Sequence, residues 1–145
     1  MISTSNIEQA KNQIKKSKEK PLIILAQNDE FNRKLLEYGK FDILLSPESG
    51  QRARTLRNID SGLNHVLAHI AAKNKIAIGI DMEELNKLPK KEQALRLERI
   101  IQNIKICRKA KVKIALLNWK DRKDAFSFLI SLGASTQQAR EAILF

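Results

Sequence analysis

Four short, nearly unbroken apolar runs constrain this chain most: Leu22-Ile23-Ile24-Leu25-Ala26, Ile43-Leu44-Leu45 within Asp42–Ser46, Ile76-Ala77-Ile78-Gly79-Ile80 and Ile114-Ala115-Leu116-Leu117. Runs of strand length without polar alternation are the pattern of strands covered on both faces, as in parallel sheets. The segments between them carry helical spacing instead. Asp29 to Tyr38 reads as a short helix closed by Gly39. A central helix extends to about Asn74, and a long one from about Lys91 to Ala110 places Ala94, Leu97, Ile101, Ile104 and Cys107 on one stripe. Two helices, Arg122–Leu132 and Ser135–Leu144, follow, with Ser135 as the cap of the second. Ahead of the first strand, Ser5-Asn6-Ile7-Glu8 reads as a capping box, Ile7, Ala10 and Ile14 as a narrow stripe, and Pro21 as the stop. Strand and helix thus alternate at least four times, which predicts an α/β protein: a parallel sheet with flanking helices. At 145 residues the chain reads as a single domain, 1–145. A complete eight-stranded barrel needs about 250 residues. The expectation is therefore an open sheet or partial TIM-barrel-like arc of about four to five strands. The fifth strand would be Thr55–Ile59, and a loop running through Pro89 would lead into the long helix.

Between the second and third strands lies the stretch with the most polar chemistry, Arg57-Asn58-Ile59-Asp60-Ser61-Gly62-Leu63-Asn64-His65-Val66-Leu67-Ala68. Asp60 or Ser61 is expected to cap the helix that begins here, since a short side-chain oxygen accepts from a free backbone N–H. Leu63, Val66, Leu67, Ile70 and Ala71 repeat as its buried stripe. Asn64, His65 and His69 fall off that stripe and face a loop, a partner or water.

Charge narrows the partners. The chain has 27 Lys and Arg against 16 Asp and Glu, a net charge of +11 and a pI near 10.0. Residues 1–50 contribute 8 − 7 = +1 and residues 51–145 contribute 19 − 9 = +10, so the excess is placed rather than spread. Such an imbalance suits a polyanion, because neutralising phosphates releases counterions; a solvated lysine-rich surface is the plainer reading. Arg52, Arg54 and Arg57 stand in a loop without an acid between Glu48 and Asp60. Arginine suits bidentate phosphate contact. In a parallel βα array this loop and Lys120, Arg122 and Lys123 share the strand C-terminal end. Lys73, Lys75, Arg108, Lys109 and Lys111 lie at the other, where the helix dipole is reason enough for a cation. One Trp and one Tyr leave little for base stacking.

Catalytic signals are sparse. His65 and His69 are spaced i, i+4, but no third ligand or His-Glu-x-x-His pattern accompanies them. Asp81, Glu83 and Glu84 end a strand, where barrel enzymes keep acids; the same positions suit capping of the next helix. The five glycines are isolated, without a phosphate-cradling loop. Cys107, alone, sits on the long helix's apolar stripe as a core thiol, in keeping with a reducing intracellular setting. The polar N-terminus predicts no secretory signal, and no apolar run approaches membrane length, so a cytoplasmic protein is expected.

Asp60-Ser61-Gly62-Leu63-Asn64-His65-Val66-Leu67-Ala68, followed by Ala72-Lys73-Asn74-Lys75-Ile76-Ala77-Ile78, resembles the archaeal and eukaryotic protein-30 family, ribonuclease P protein component 3. The resemblance takes in Asp42-Ile43-Leu44-Leu45-Ser46-Pro47-Glu48 upstream. Downstream it includes Arg99, Asn103 and Cys107-Arg108-Lys109, the Lys113–Asn118 run, and Ile130-Ser131-Leu132-Gly133-Ala134, so that it covers about residues 21–145. It implies a fold related to the polymerase and histidinol phosphatase superfamily without that superfamily's metal-dependent catalysis. It also implies a noncatalytic subunit of the ribonucleoprotein that removes the 5′ leader from precursor tRNA. Its partners would be the ribonuclease P RNA, protein component 2 and, indirectly, precursor tRNA; Mg2+ would accompany the RNA, with no cofactor on the protein. Met1–Lys20, the N-terminal helix, lies outside the resemblance and stands where the family has further strands, leaving a sheet edge that needs cover. His69 replaces a lysine-like residue and is not carried over.

The site set expected from these readings is RNA-binding: Arg52, Arg54, Arg57, Asn64, His65, Lys120 and Arg122, with no catalytic and no metal-ligating residue. The alternatives are a small metal-dependent phosphoesterase using His65, His69, Asp81 and Glu83, and a protein–protein scaffold whose basic surface is incidental.

Overall fold

A computed structural model describes residues 1–55 and 57–145. The chain runs α1 (Ile7–Lys16), β1 (Ile23–Leu25), α2 (Asp29–Tyr38), β2 (Ile43–Leu45), α3 (His65–Lys73), β3 (Ala77–Asp81), α4 (Met82–Lys87), α5 (Lys90–Ala110), β4 (Ile114–Leu117), α6 (Arg122–Ser131) and α7 (Thr136–Ala142). All four strands are parallel and neighbour one another in chain order, β1-β2-β3-β4. That order decides the architecture. Successive right-handed crossovers that always advance in one direction place every helix on the same side. The sheet is an arc of a barrel wall, without the reversal of a doubly wound fold.

The side chains follow. Ile24, Leu44, Ile78, Ile80, Ile114 and Leu116 point into one large core with the helices. The opposite face holds a separate small cluster of Ile43, Ala77 and Ala115, bordered by Ile23 and Leu117. Gly79 belongs to that face: a Cβ there would lie 2.7 Å from Cγ2 of Ile43. Met1 and Phe145 reach a hollow over it, of about 530 Å³, beside Ile23, Leu45, Leu117 and Trp119. The β1 edge is covered by the N-terminus. The Ile2 N–H donates to Ile23 O at 2.8 Å and the Leu25 N–H to Ile2 O at 2.9 Å, with α1 packed outside on Ala10 and Ile14.

Several expectations are corrected. α1 is capped by Asn6, which accepts from the Glu8 and Gln9 N–H groups, rather than by Ser5. The stretch before Pro89 contains α4, capped by Asp81. Of the Thr55–Ile59 strand, only an isolated antiparallel bridge between Arg54 and Ile59 is found, and Leu56 lies outside the described residues. The stripe on α5 is rotated. Its buried positions are Arg96, Ile100, Asn103, Ile104, Cys107 and Ala110, while Ala94 and Ile101 are exposed. Two polar side chains on the inner face hid that phase from an apolar-periodicity argument.

Cys107 is enclosed, and burial pushes its thiol up to about 12, as suits an inert core group. Lys40, Lys75 and Lys111 follow α2, α3 and α5 with φ of 63°, 57° and 62°. That left-handed conformation costs a side-chain-bearing residue about 1–2 kcal/mol. A cation at an exposed helix C-terminus gains only about 0.3–1 kcal/mol.

Candidate nucleic-acid interface

The arginine loop is held down by the polar face of α5. Arg99 Nη1 donates to Glu48 O at 3.0 Å and to Gly50 O at 3.1 Å. Gln102 Nε2 donates to Ile59 O and Ser61 Oγ at 2.8 and 2.9 Å, and Asn103 Nδ2 to Ser61 O at 3.0 Å. Beneath the loop, Glu48 is 1% exposed and pairs with Arg96 at 3.2 Å, while Arg96 also reaches Glu84 at 2.8 Å. Burial pushes the Glu48 carboxyl up, against the pull of Arg96. The geometry is that of a desolvated anion tolerated because a cation stands beside it.

The loop then folds back on itself. Asp60 N–H donates to Ala53 O at 3.0 Å and Thr55 N–H to Asn58 O at 2.8 Å. Gly62 (φ 79°) turns the chain into α3, and a Cβ there would sit 1.9 Å from Pro47 O, so no larger residue fits. This turn explains the position of the cap. Asp60 is occupied, accepting from the Gly62 N–H and from Arg52, and Ser61 Oγ donates to Leu63 O. Asn64 caps α3 instead of Asp60 or Ser61, accepting from the Leu67 N–H at 2.9 Å. Leu63, Leu67 and Ala71 of the expected stripe are buried, but Val66 is 55% exposed.

The three loop arginines have three different fates. Arg52 is a structural clamp. Its side chain is 6% exposed, with Nη1 2.9 Å from Asp29 Oδ1 and 3.0 Å from Asp60 Oδ1. Arg54 grips Glu98 of α5 through Nε and Nη2 at 3.0–3.1 Å. Hydrogen bonding by Arg54 holds the Glu98 carboxyl below the usual carboxylate value, and Glu98 raises Arg54 in return. Arg57 is exposed at the fold-back and joins no ion pair among the described residues.

The loop, the start of α3 and the outer face of α5 enclose an open groove of about 1070 Å³. Thr55, Asn58, Asn64, His65, Val66, Gln102, Lys105, Ile106 and Lys109 are among its walls. Lys105, Lys109 and Arg33 are groove cations that sequence reasoning missed; Asp29, Glu30 and Asp60 line the groove as well, and Arg33 is paired with Glu37. Lys109 stands in the last turn of α5, at the end of the sheet where the sequence places it, and also lines the groove. The i, i+4 spacing of Lys105 and Lys109 was the available signal. Lys120 and Arg122 are exposed at the start of α6 and do not line this groove.

The residues of the phosphoesterase alternative are not gathered. His65 borders the groove, whereas Asp81 caps α4, accepts from Asn118 Nδ2 at 3.0 Å and borders the hollow by Trp119. Glu83 pairs with Lys87 at 3.0 Å. Among the described residues no three His, Cys, Asp or Glu side chains are grouped as metal ligands. Among the described residues no helix is long and apolar enough to cross a membrane.

This arrangement has relatives. Ribonuclease P protein component 3 of Methanococcus maripaludis (strain C5) is 31% identical over 110 residues, 74% of this chain and 45% of that protein. The protein of the same name from Methanocaldococcus jannaschii is 31% identical over 117 residues, 79% of this chain and 47% of that one. The chain is a homologue of ribonuclease P protein component 3. A chain in a cryo-EM structure of archaeal ribonuclease P with mature tRNA superposes with a TM-score of 0.76 at 28% identity, over 97% of this chain and 62% of that one. The homologue thus spans slightly under half the length of the curated relatives it matches. No protein-family profile matches it.

Proposed function

We propose that this chain is a noncatalytic, cytoplasmic subunit of ribonuclease P, supporting 5′-leader removal from precursor tRNA by binding the RNA component and a second protein subunit. The observation that carries this reading is the superposition of nearly the whole chain on a protein of archaeal ribonuclease P. A loop–helix groove with Lys105 and Lys109 on its walls supports it, with Arg57 exposed on the loop that borders it. In this reading Arg57, His65, Lys105 and Lys109 meet RNA phosphates. Lys120 and Arg122 make a separate contact at the start of α6. Arg52, Arg54 and Asn64 act by ordering the loop and the helix start. Val66 and Ile106, apolar walls of the groove, suit the second subunit, protein component 2. Magnesium belongs to the RNA, and precursor tRNA is reached through it.

The test is a pull-down of the tagged chain from its host, with co-purifying RNA sequenced and proteins identified. A structured RNA competent in precursor-tRNA cleavage, with a second small protein, is expected. A preparation containing neither overturns the proposal.

A further inference from the structure

Three successive helix-to-strand turns each place a lysine in the same unfavourable left-handed conformation: Lys40 and Lys75 one residue past the helix C-cap, and Lys111 at the C-cap itself. These turns lead into β2, β3 and β4, which are neighbours in the sheet. The lysines therefore stand along the strand N-terminal edge, at the entries to adjacent strands that are spaced about 4.8 Å apart. Lys73, Lys109 and Lys113 flank them, and all six are exposed. None joins an ion pair among the described residues. Lys75, Lys111 and Lys113 share the wall of a hollow of about 430 Å³ whose one acid is Asp42.

Helix-end electrostatics does not account for this row. Lys113 is already past the turn, and the gain at a helix terminus is smaller than the left-handed penalty at the other positions. Glycine or asparagine would fill those positions with less strain. Repeated local strain on an exposed rim points to a ligand that rewards the charge. Lysine is a point charge without the fork that reads base edges, and a rigid row of such charges matches phosphates rather than sequence. Phe145 is the one aromatic residue lining the hollow, so stacked single-stranded bases are a poor fit.

We infer that this lysine rim binds the phosphate backbone of a helical RNA segment, as a second RNA surface apart from the arginine-loop groove. The inference rests on the RNA-binding reading above. It adds a surface at the other end of the sheet, contiguous with the groove through Lys109.

The experiment compares three full-length proteins binding a mixed-sequence RNA duplex across a salt titration. They are the parent chain, a rim variant (Lys75→Asn, Lys111→Asn, Lys113→Gln) and a groove variant (Arg57→Ala, Lys105→Ala). The rim variant is expected to flatten the log–log salt slope by about 2.7, roughly 0.9 for each of three lost phosphate contacts. Its Tm should stand at or above the parent's, because asparagine tolerates the left-handed region. Lys→Arg at the same three positions should keep the parent slope. A parent-like slope in the rim variant with a flattened one in the groove variant overturns the rim and leaves the functional reading standing. Parent-like slopes in both overturn the two together. A rim that serves an acidic protein instead also leaves the RNA slope unmoved, and so counts against the inference.

Discussion

Three arginines within six positions look equivalent in the sequence and are not equivalent in the protein. Arg52 is enclosed between Asp29 and Asp60, joining the start of α2 to the loop that precedes α3. Arg57 joins no ion pair among the described residues. Arg52→Ala is therefore expected to lower stability by about 2 kcal/mol, the loss of charged hydrogen bonds in a nearly closed site. Arg57→Ala should leave stability within about 0.5 kcal/mol of the parent, as for other exposed substitutions. Urea denaturation of the two variants checks this, and equal midpoints would contradict the assignment. The histidines separate in a similar way. His65 opens α3 beside the groove and His69 lies exposed one turn on.

At the scale of elements, α5 does more than cover the sheet. Its inner face contributes Ile100, Ile104 and Cys107 to the core, while Glu98, Arg99, Gln102 and Asn103 fasten the loop. The Arg54–Glu98 clasp gives this a pH dependence. The folded Glu98 carboxyl is depressed below its ordinary value of 4.5. Its contribution is complete above the unfolded value and is lost as pH falls through the folded one. Exchange protection of the Arg54 Nε–H, followed by NMR, should therefore fall as the sample is acidified below 4.5. Glu98→Gln should lack most of that protection already at neutral pH. Protection that is flat across acidification, or retained in the variant, would count against the clasp.

At the scale of the whole molecule, a barrel arc has two edges and an inner face to account for. The N-terminus attends to one edge: Ile2 pairs with β1 through two main-chain hydrogen bonds, and α1 lies outside it. Removing residues 1–20 should expose the β1 N–H and C=O row and drive self-association, since an uncovered flat edge templates pairing with another chain. Sedimentation or light scattering of the truncated protein checks this; a monodisperse monomer would show that α1 and Ile2 are dispensable as cover. The fall in charge density toward residues 1–50 fits the same division. The N-terminal part closes the sheet, and the strongly basic remainder carries most of the groove and all of the lysine rim but Lys40.

The sequence by itself determined the elements of this protein, because the apolar runs and helical stripes are local patterns that hold whatever packs beside them. Four buried parallel strands, the helices between them, the core thiol and the Gly-Leu-Asn-His family element were legible in that way. The cap at Asn64, the rotated stripe of α5 and the fates of Arg52, Arg54 and Arg57 were not. The pairing of Arg52 and Arg54 and the rotated stripe of α5 depend on acids or carbonyls that lie from 8 to 48 positions away along the chain. Burial of Arg96 and Asn103 makes sense only once Glu48 and Ser61 are beside them. The lysine row is the same case: three left-handed turns far apart in sequence become one surface only because their strands are neighbours in the sheet. Tertiary structure decided which charges are spent inside the fold and which remain for a partner, since pairing is set by proximity in space and composition records only the sum.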